Sequence, residues 1–140
     1  MSRLPIWSLD ISTIGSQQAS SIKDTNKAIH QLLDYYATYL DDGILYRSSD
    51  MILAGLSDSG FNNETRARSR SGAHIFLSEN ESIPRWNEPL LKISQIMKYV
   101  VSSAAEAEMT ALFLTSNEMV PLRHTLTKMG WKQPPSPLQS

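Results

Sequence analysis

Asp58 and Glu108 are the residues of this chain whose type and setting could do chemistry. Asp58 closes an apolar run of strand length, Met51-Ile52-Leu53-Ala54-Gly55-Leu56-Ser57. Glu108 sits in Ser102-Ser103-Ala104-Ala105-Glu106-Ala107-Glu108-Met109, a segment that opens a helix. A strand-end Asp facing a helix-borne Glu would supply hard oxygen ligands. Mg²⁺ is typically held by one or two carboxylates plus substrate phosphate. Two such cations about 3.5–4 Å apart stabilise both the attacking and the leaving oxygen in phosphodiester hydrolysis.

The elements that must position them are legible in outline. Side chains alternate faces along a strand, so Asp58 shares a face with Ile52, Ala54 and Leu56. A second reading of Asp58 is a turn opener, because Ser59-Gly60 and Asn62-Asn63 carry turn chemistry. In the helix, Ser103-x-x-Glu106 has the form of a capping box. Glu106 and Glu108 differ by about 200° around the axis, so they cannot share one site. Glu108 aligns with Ala104, Ala105, Ala111, Leu112, Met119, Leu122, Leu126 and Met129, the stripe expected on the sheet. A carboxylate there is costly unless paired or bound to a cation. The alternative is a rim position from which Glu108 reaches water. Glu118, further along the same helix, is too distant to join the set.

Arg66, Arg68 and Arg70 form the only basic cluster. In an extended segment all three would point one way and could line up with phosphates. The alternative is a solvated polar loop. Tyr39-Leu40-Asp41-Asp42 has the form of a polymerase catalytic turn, but it ends an amphipathic helix rather than joining two strands. His30, His74 and His124 show no metal-ligand spacing. There is no Gly-rich phosphate loop and no Gly-x-Ser-x-Gly elbow.

One folded domain is expected from 140 residues. With 41% apolar and 19% charged residues the chain has enough apolar side chains for a core. A net charge of −1 supplies no global field for nucleic acid, so any such contact must be local. The absence of Cys excludes disulfides and thiolate metal sites. No apolar run approaches the ~20 residues that span a bilayer. An intracellular protein, cytoplasmic or nuclear, is the expectation. Residues 1–23 read as a Ser-rich lead-in. An amphipathic helix follows over about 24–42, capped by Asp24 or Thr25 and stopped by Gly43. Ile44-Leu45-Tyr46 reads as a short strand. Strands are expected over 51–57, 72–78 and 90–96. The long helix could reach Met129, with Gly130 as its stop and Pro121 kinking or splitting it.

With these residues on the page, the chain resembles the ribonuclease H region of copia-type LTR retrotransposon polyproteins. The motifs that carry the resemblance are Ser57-Asp58-Ser59-Gly60-Phe61, Ala67-Arg68-Ser69-Arg70-Ser71-Gly72-Ala73-His74-Ile75-Phe76-Leu77 and Ser102-Ser103-Ala104-Ala105-Glu106-Ala107-Glu108. The tail Val120-Pro121-Leu122-Arg123 with Met129-Gly130-Trp131 also fits. The segment before Tyr46 resembles the connection to reverse transcriptase in such polyproteins. The expected organisation is a connection segment over 1–47 and a truncated ribonuclease H-like domain over 48–140.

The resemblance implies an α/β fold, a ribonuclease H-like three-strand antiparallel meander followed by a long helix packed on the sheet. That meander would be the antiparallel half of a five-stranded mixed sheet. It also implies cleavage of the RNA strand of an RNA–DNA hybrid with Mg²⁺ or Mn²⁺. By position, Asp58 and Glu108 match the catalytic, metal-binding acids. In the family a strand after the helix ends in an Asp-Asn pair. Pro134 to Ser140 resembles its start, and the pair is not in this sequence. The fold is therefore expected to be incomplete and cleavage slow or absent. Two rivals stand beside this reading. One is a non-catalytic module that binds nucleic acid through Arg66, Arg68 and Arg70. The other is an interaction fragment that self-associates through an unpaired sheet edge.

Overall fold

Strand alternation decides where the core of this molecule lies. The computed structural model describes residues 11, 14–15, 23–40 and 43–140. The chain divides into two compact units, Met1–Ile44 and Leu45–Ser140. The first contains helix α1, Lys23–Thr38. Its one buried residue is Thr25, while Leu33, Tyr36 and Leu40 are exposed. The helix stops short of the expected boundary, and Asp41 and Asp42 lie outside the described residues. The same holds for most of the Ser-rich lead-in.

The second unit is α/β. Its strands are β1 (Ile52–Glu64), β2 (Arg68–Ser78), β3 (Pro89–Ile96) and β4 (Leu138–Gln139). Helix α2, Ala104–Lys128, lies between β3 and β4 in the chain. The sheet order is β3-β2-β1-β4. The first three strands are an antiparallel meander, and β4 runs parallel to β1. The sheet is thus four-stranded and mixed, where the sequence reading counted three strands. The addition rests on Gly55, whose N–H donates to the Pro137 carbonyl (3.0 Å), and on the pairing of Gly55 and Leu56 with Leu138 and Gln139.

Odd-numbered residues of the meander form the main core. Leu53 and Ile75 pack with Met119 and Leu126 of α2, and Leu77, Leu91, Ile93 and Leu138 surround them. A second cluster joins Met97 and Val101 to Ala107 and Ala111 at the start of α2. The even face carries Phe76, which is buried and stacks on Trp86 at 6.1 Å. His74 Nε2 lies 3.0 Å from the Asn87 carbonyl, and the Ser78 hydroxyl donates to the Arg85 carbonyl. The polar loop 79–88 is thereby fastened to that face.

Several boundaries differ from the sequence reading. β1 does not end at Asp58. It pairs with β2 without interruption from Ile52↔Ser78 to Gly60↔Arg70, and the register shifts only between Gly60 and Glu64. The left-handed backbone at Asn62 and Arg66 places the turn later. Ile44-Leu45-Tyr46 joins no ladder. Pro121 neither splits nor ends α2. A proline removes one intrahelical bond, here to the Asn117 carbonyl. Both residues are exposed, so water can satisfy that carbonyl. The helix ends as its glycine predicts. Gly130 has φ +96°, its N–H donates to the Thr127 carbonyl, and the Trp131 N–H reaches the Leu126 carbonyl. No helix among the described residues is long and apolar enough to cross a membrane.

Leu53 has no exposed surface and touches the centre of the α2–sheet contact. Leu53→Ala should lower unfolding stability by about 2–5 kcal/mol, read as a shifted midpoint in urea at unchanged slope. A change under about 1 kcal/mol would mean that this contact is not the core.

Candidate functional site

Asp58 is positioned by β1, and Gly55 reports which way the strand faces. A Cβ at Gly55 would lie 2.8 Å from Met119 Sδ and 3.1 Å from Leu138 Cδ1. Position 55 therefore points at α2. The ladder is unbroken from 52 to 60. Alternation then puts Asp58 on the other face, with Ala54 and Leu56. Its side chain is exposed, and Oδ1 accepts from the Ser59 N–H at 2.8 Å. Ser57, on the α2 side, and Ser71 of β2 are buried. Neither hydroxyl has a hydrogen-bond partner among the described residues.

Glu108 is positioned by the start of α2. Ser103 is the N-cap, and its Oγ accepts from the Glu106 N–H at 3.1 Å. The Glu106 carboxylate reaches one residue further back than a standard capping box. Its Oε2 accepts from the Ser102 hydroxyl (2.6 Å) and the Ser102 N–H (2.7 Å). Those two bonds, the hydroxyl first, hold the Glu106 carboxyl below its ordinary pKa. Glu106 is thus occupied locally, in the capping role that Ser103-x-x-Glu106 predicts.

The buried stripe of α2 is Ala107, Ala111, Thr115, Met119 and Leu126. It is rotated from the expected one, because Ala104, Ala105 and Met129 are exposed. Apolar side chains do not mark a single face of α2, since Met109, Phe113 and Val120 are exposed on its outer side. Small residues mark the first half of the contact, and Met119 and Leu126 the second. Glu108 is exposed and lies about 60° from Ala111. It borders the packed stripe rather than lying within it.

Asp58 and Glu108 thus sit on two elements that pack together, but Asp58 lies on the face of β1 turned from α2. Among the described residues, no three His, Asp or Glu side chains are grouped to hold a metal ion. By chemical type the two carboxylates suit Mg²⁺ or Mn²⁺. Both carboxylates are exposed, with Asp58 on the outer face of β1 and Glu108 at the border of the packed stripe of α2.

The three arginines have different fates. Arg66 is exposed in the one-turn 3₁₀ segment Thr65–Ala67, with φ 63°. Arg68 opens β2 and is half-buried. Arg70 is only 3% exposed, and its Nε donates to Glu64 Oε1 at 2.5 Å. Its Nη1 reaches the Ser94 hydroxyl at 3.4 Å. The segment is not one extended run, so the three do not form a row. Tyr46, Arg47, Arg85, Trp86 and Trp131, none of which the sequence marks as a binding residue, line a groove at the far end of the sheet. The available signal was an aromatic beside a cation, in Tyr46-Arg47 and again in Arg85-Trp86.

Two measurements check these assignments. Glu64→Ala leaves a buried guanidinium without its carboxylate and should cost about 3–5 kcal/mol. The double change Glu64→Leu with Arg70→Met should cost clearly less, and equal losses would contradict a buried pair. Glu106 has a depressed folded pKa, so its contribution is present above the unfolded-state value. It is lost as pH falls through the lower folded value. Thermal unfolding followed from about pH 7 to about pH 3 should show a weaker acid dependence for Glu106→Gln than for the parent chain. No family model, no curated protein and no solved structure matches this chain.

Proposed function

We propose that this chain is a ribonuclease H-like module derived from the reverse transcriptase/ribonuclease H polyprotein of a copia-type LTR retrotransposon. The observation that supports it best is the strand order. An antiparallel meander is followed by a long helix, and a strand parallel to β1 then adds at its free side. The resemblance likewise implies an antiparallel meander, a long helix and then a further strand of a mixed sheet. The ancestral reaction is endonucleolytic hydrolysis of RNA in an RNA–DNA hybrid. Asp58 and Glu108 are the oxygen donors that would meet Mg²⁺ or Mn²⁺, and the cation would supply charge stabilisation at the phosphate. Asp58 and Glu108 are both exposed, and the resemblance finds no match in these residues for the family's Asp-Asn pair. Cleavage by this chain is slow or absent.

A second reading is a module that contacts nucleic acid without cutting it. It is favoured by Arg66, exposed at the tip of the β1–β2 connection. A third is self-association through the sheet. β4 covers only Gly55 and Leu56, so β1 beyond Leu56 has no strand on that side among the described residues. Such an edge invites strand addition.

A labelled RNA–DNA hybrid incubated with Mg²⁺ or Mn²⁺ should show little cleavage, and Asp58→Asn should change nothing. Hydrolysis abolished by Asp58→Asn would overturn the inactive reading and establish a working centre. Salt-sensitive hybrid binding without cleavage, weakened by Arg66→Gln, would favour the second reading. A concentration-dependent mass by light scattering would favour the third.

A further inference from the structure

At the end of the sheet away from the β1–β2 turn, residues 46–50 form a strap held by the 79–89 loop. The Tyr46 hydroxyl donates to the Pro89 carbonyl at 3.0 Å. Asn87 acts like a neighbouring strand for Arg47. Its Oδ1 accepts from the Arg47 N–H (2.9 Å) and its Nδ2 donates to the Arg47 carbonyl (3.0 Å). The same Nδ2 donates to the Leu77 carbonyl, and Asp50 Oδ2 accepts from the Asn80 N–H. The strap's backbone is therefore fastened, while the Arg47 side chain is exposed and has no ion pair among the described residues.

Two open cavities flank this strap and share Arg47, Ser48 and Ser49 as a common wall. One, of about 400 Å³, is lined by Tyr46, Met51, Leu90 and Trp131. The other, of about 380 Å³, is lined by Arg85 and Trp86. Trp86 stacks on Phe76 yet stays 63% exposed, and Trp131 is 45% exposed. Of the acids nearby, Asp50 is held by the Asn80 N–H and two others face cations. Glu79 lies 3.4 Å from Arg85, and Glu88 faces Lys92. Arg47, which has no ion pair among the described residues, stands at the wall between two aromatic compartments.

The pattern aromatic, cation, aromatic matches base, phosphate, base. We propose that this groove binds a dinucleotide step of single-stranded nucleic acid. One base stacks in the Tyr46–Trp131 compartment and the other on Trp86. The phosphate between them meets the Arg47 guanidinium and the hydroxyls of Ser48 and Ser49. Stacking on aromatics with a basic track is the general mode of sequence-tolerant single-strand binding. An acidic peptide would satisfy Arg47 but would leave both indole faces without planar partners at the right alternation. Neither Asp58, Glu108 nor Arg66 takes part, so this inference does not rest on the ancestry proposed above.

The test is a fluorescence titration of the full chain with an eight-nucleotide oligo-dT strand over a range of salt. Binding should quench tryptophan emission. Arg47→Gln should flatten the slope of log affinity against log salt by about 0.7, the share of one phosphate contact on a single strand. Arg47→Lys should keep the slope. Trp131→Ala should weaken binding about tenfold, within the range for loss of one stacked base. Circular dichroism of each variant confirms the fold, and Arg47 is exposed, so its replacement leaves the core intact. Undetectable binding of the strand would overturn the proposal. So would equal affinity for an abasic strand of the same length or an acidic peptide of the same charge. A slope lost with Arg66→Gln and kept with Arg47→Gln would place the contact at the other end of the sheet and also refute it.

Discussion

The close approach of α2 to β1 at Gly55 is the contact on which the rest of this unit depends. A side chain there would collide with Met119 and Leu138. Its absence lets the helix settle on the sheet and lets β4 pair at the same point. Leu53, two residues earlier, then has no exposed surface under Met119 and Leu126. Ala54, on the opposite face, is also fully buried. β1 is thus enclosed on both faces at its start and paired on both sides. Every other element is placed relative to it.

From that centre the strand runs outward to polar ground. Asp58 is already exposed, and the turn beyond it bends through left-handed residues. Charge near this end is partly consumed by the fold. Arg70 is buried against Glu64, where its charge needs that partner because water is excluded. Arg66 keeps its charge in solvent because the turn lifts it off the ladder. A row of similar residues in the chain becomes one structural ion pair, one half-buried strand opener and one exposed cation.

The opposite end of the sheet has another character. There the chain is held by side-chain amides and hydroxyls instead of a ladder, and aromatic rings stay partly open. Asn87 replaces a missing strand for Arg47, which keeps that segment ordered without burying it. α2 reaches both ends, with Ala107 and Ala111 packed on Met97 and Val101 at one and Met119 and Leu126 near Met51 at the other.

Much of the framework could be read from local patterning. The meander, the Ser103 cap, the Gly130 stop and the role of Glu106 follow from periodicity and capping chemistry, which act over a few residues. The faces of Ile52, Ala54, Leu56 and Asp58 follow from alternation alone. What needed the folded molecule was the choice between equivalent surfaces. Alternation says that Asp58 and Leu53 point apart, but only packing says which of those faces receives α2. A helix with apolar side chains on both its inner and outer sides does not declare which one packs, so the exposure of Glu108 follows from the fit of Ala107 and Ala111 against Met97 and Val101. The partner of Arg70, the pairing of β4 and the groove at Arg47 join residues far apart in the chain. Contacts of that kind arise from close packing in three dimensions, which no short window of residues contains.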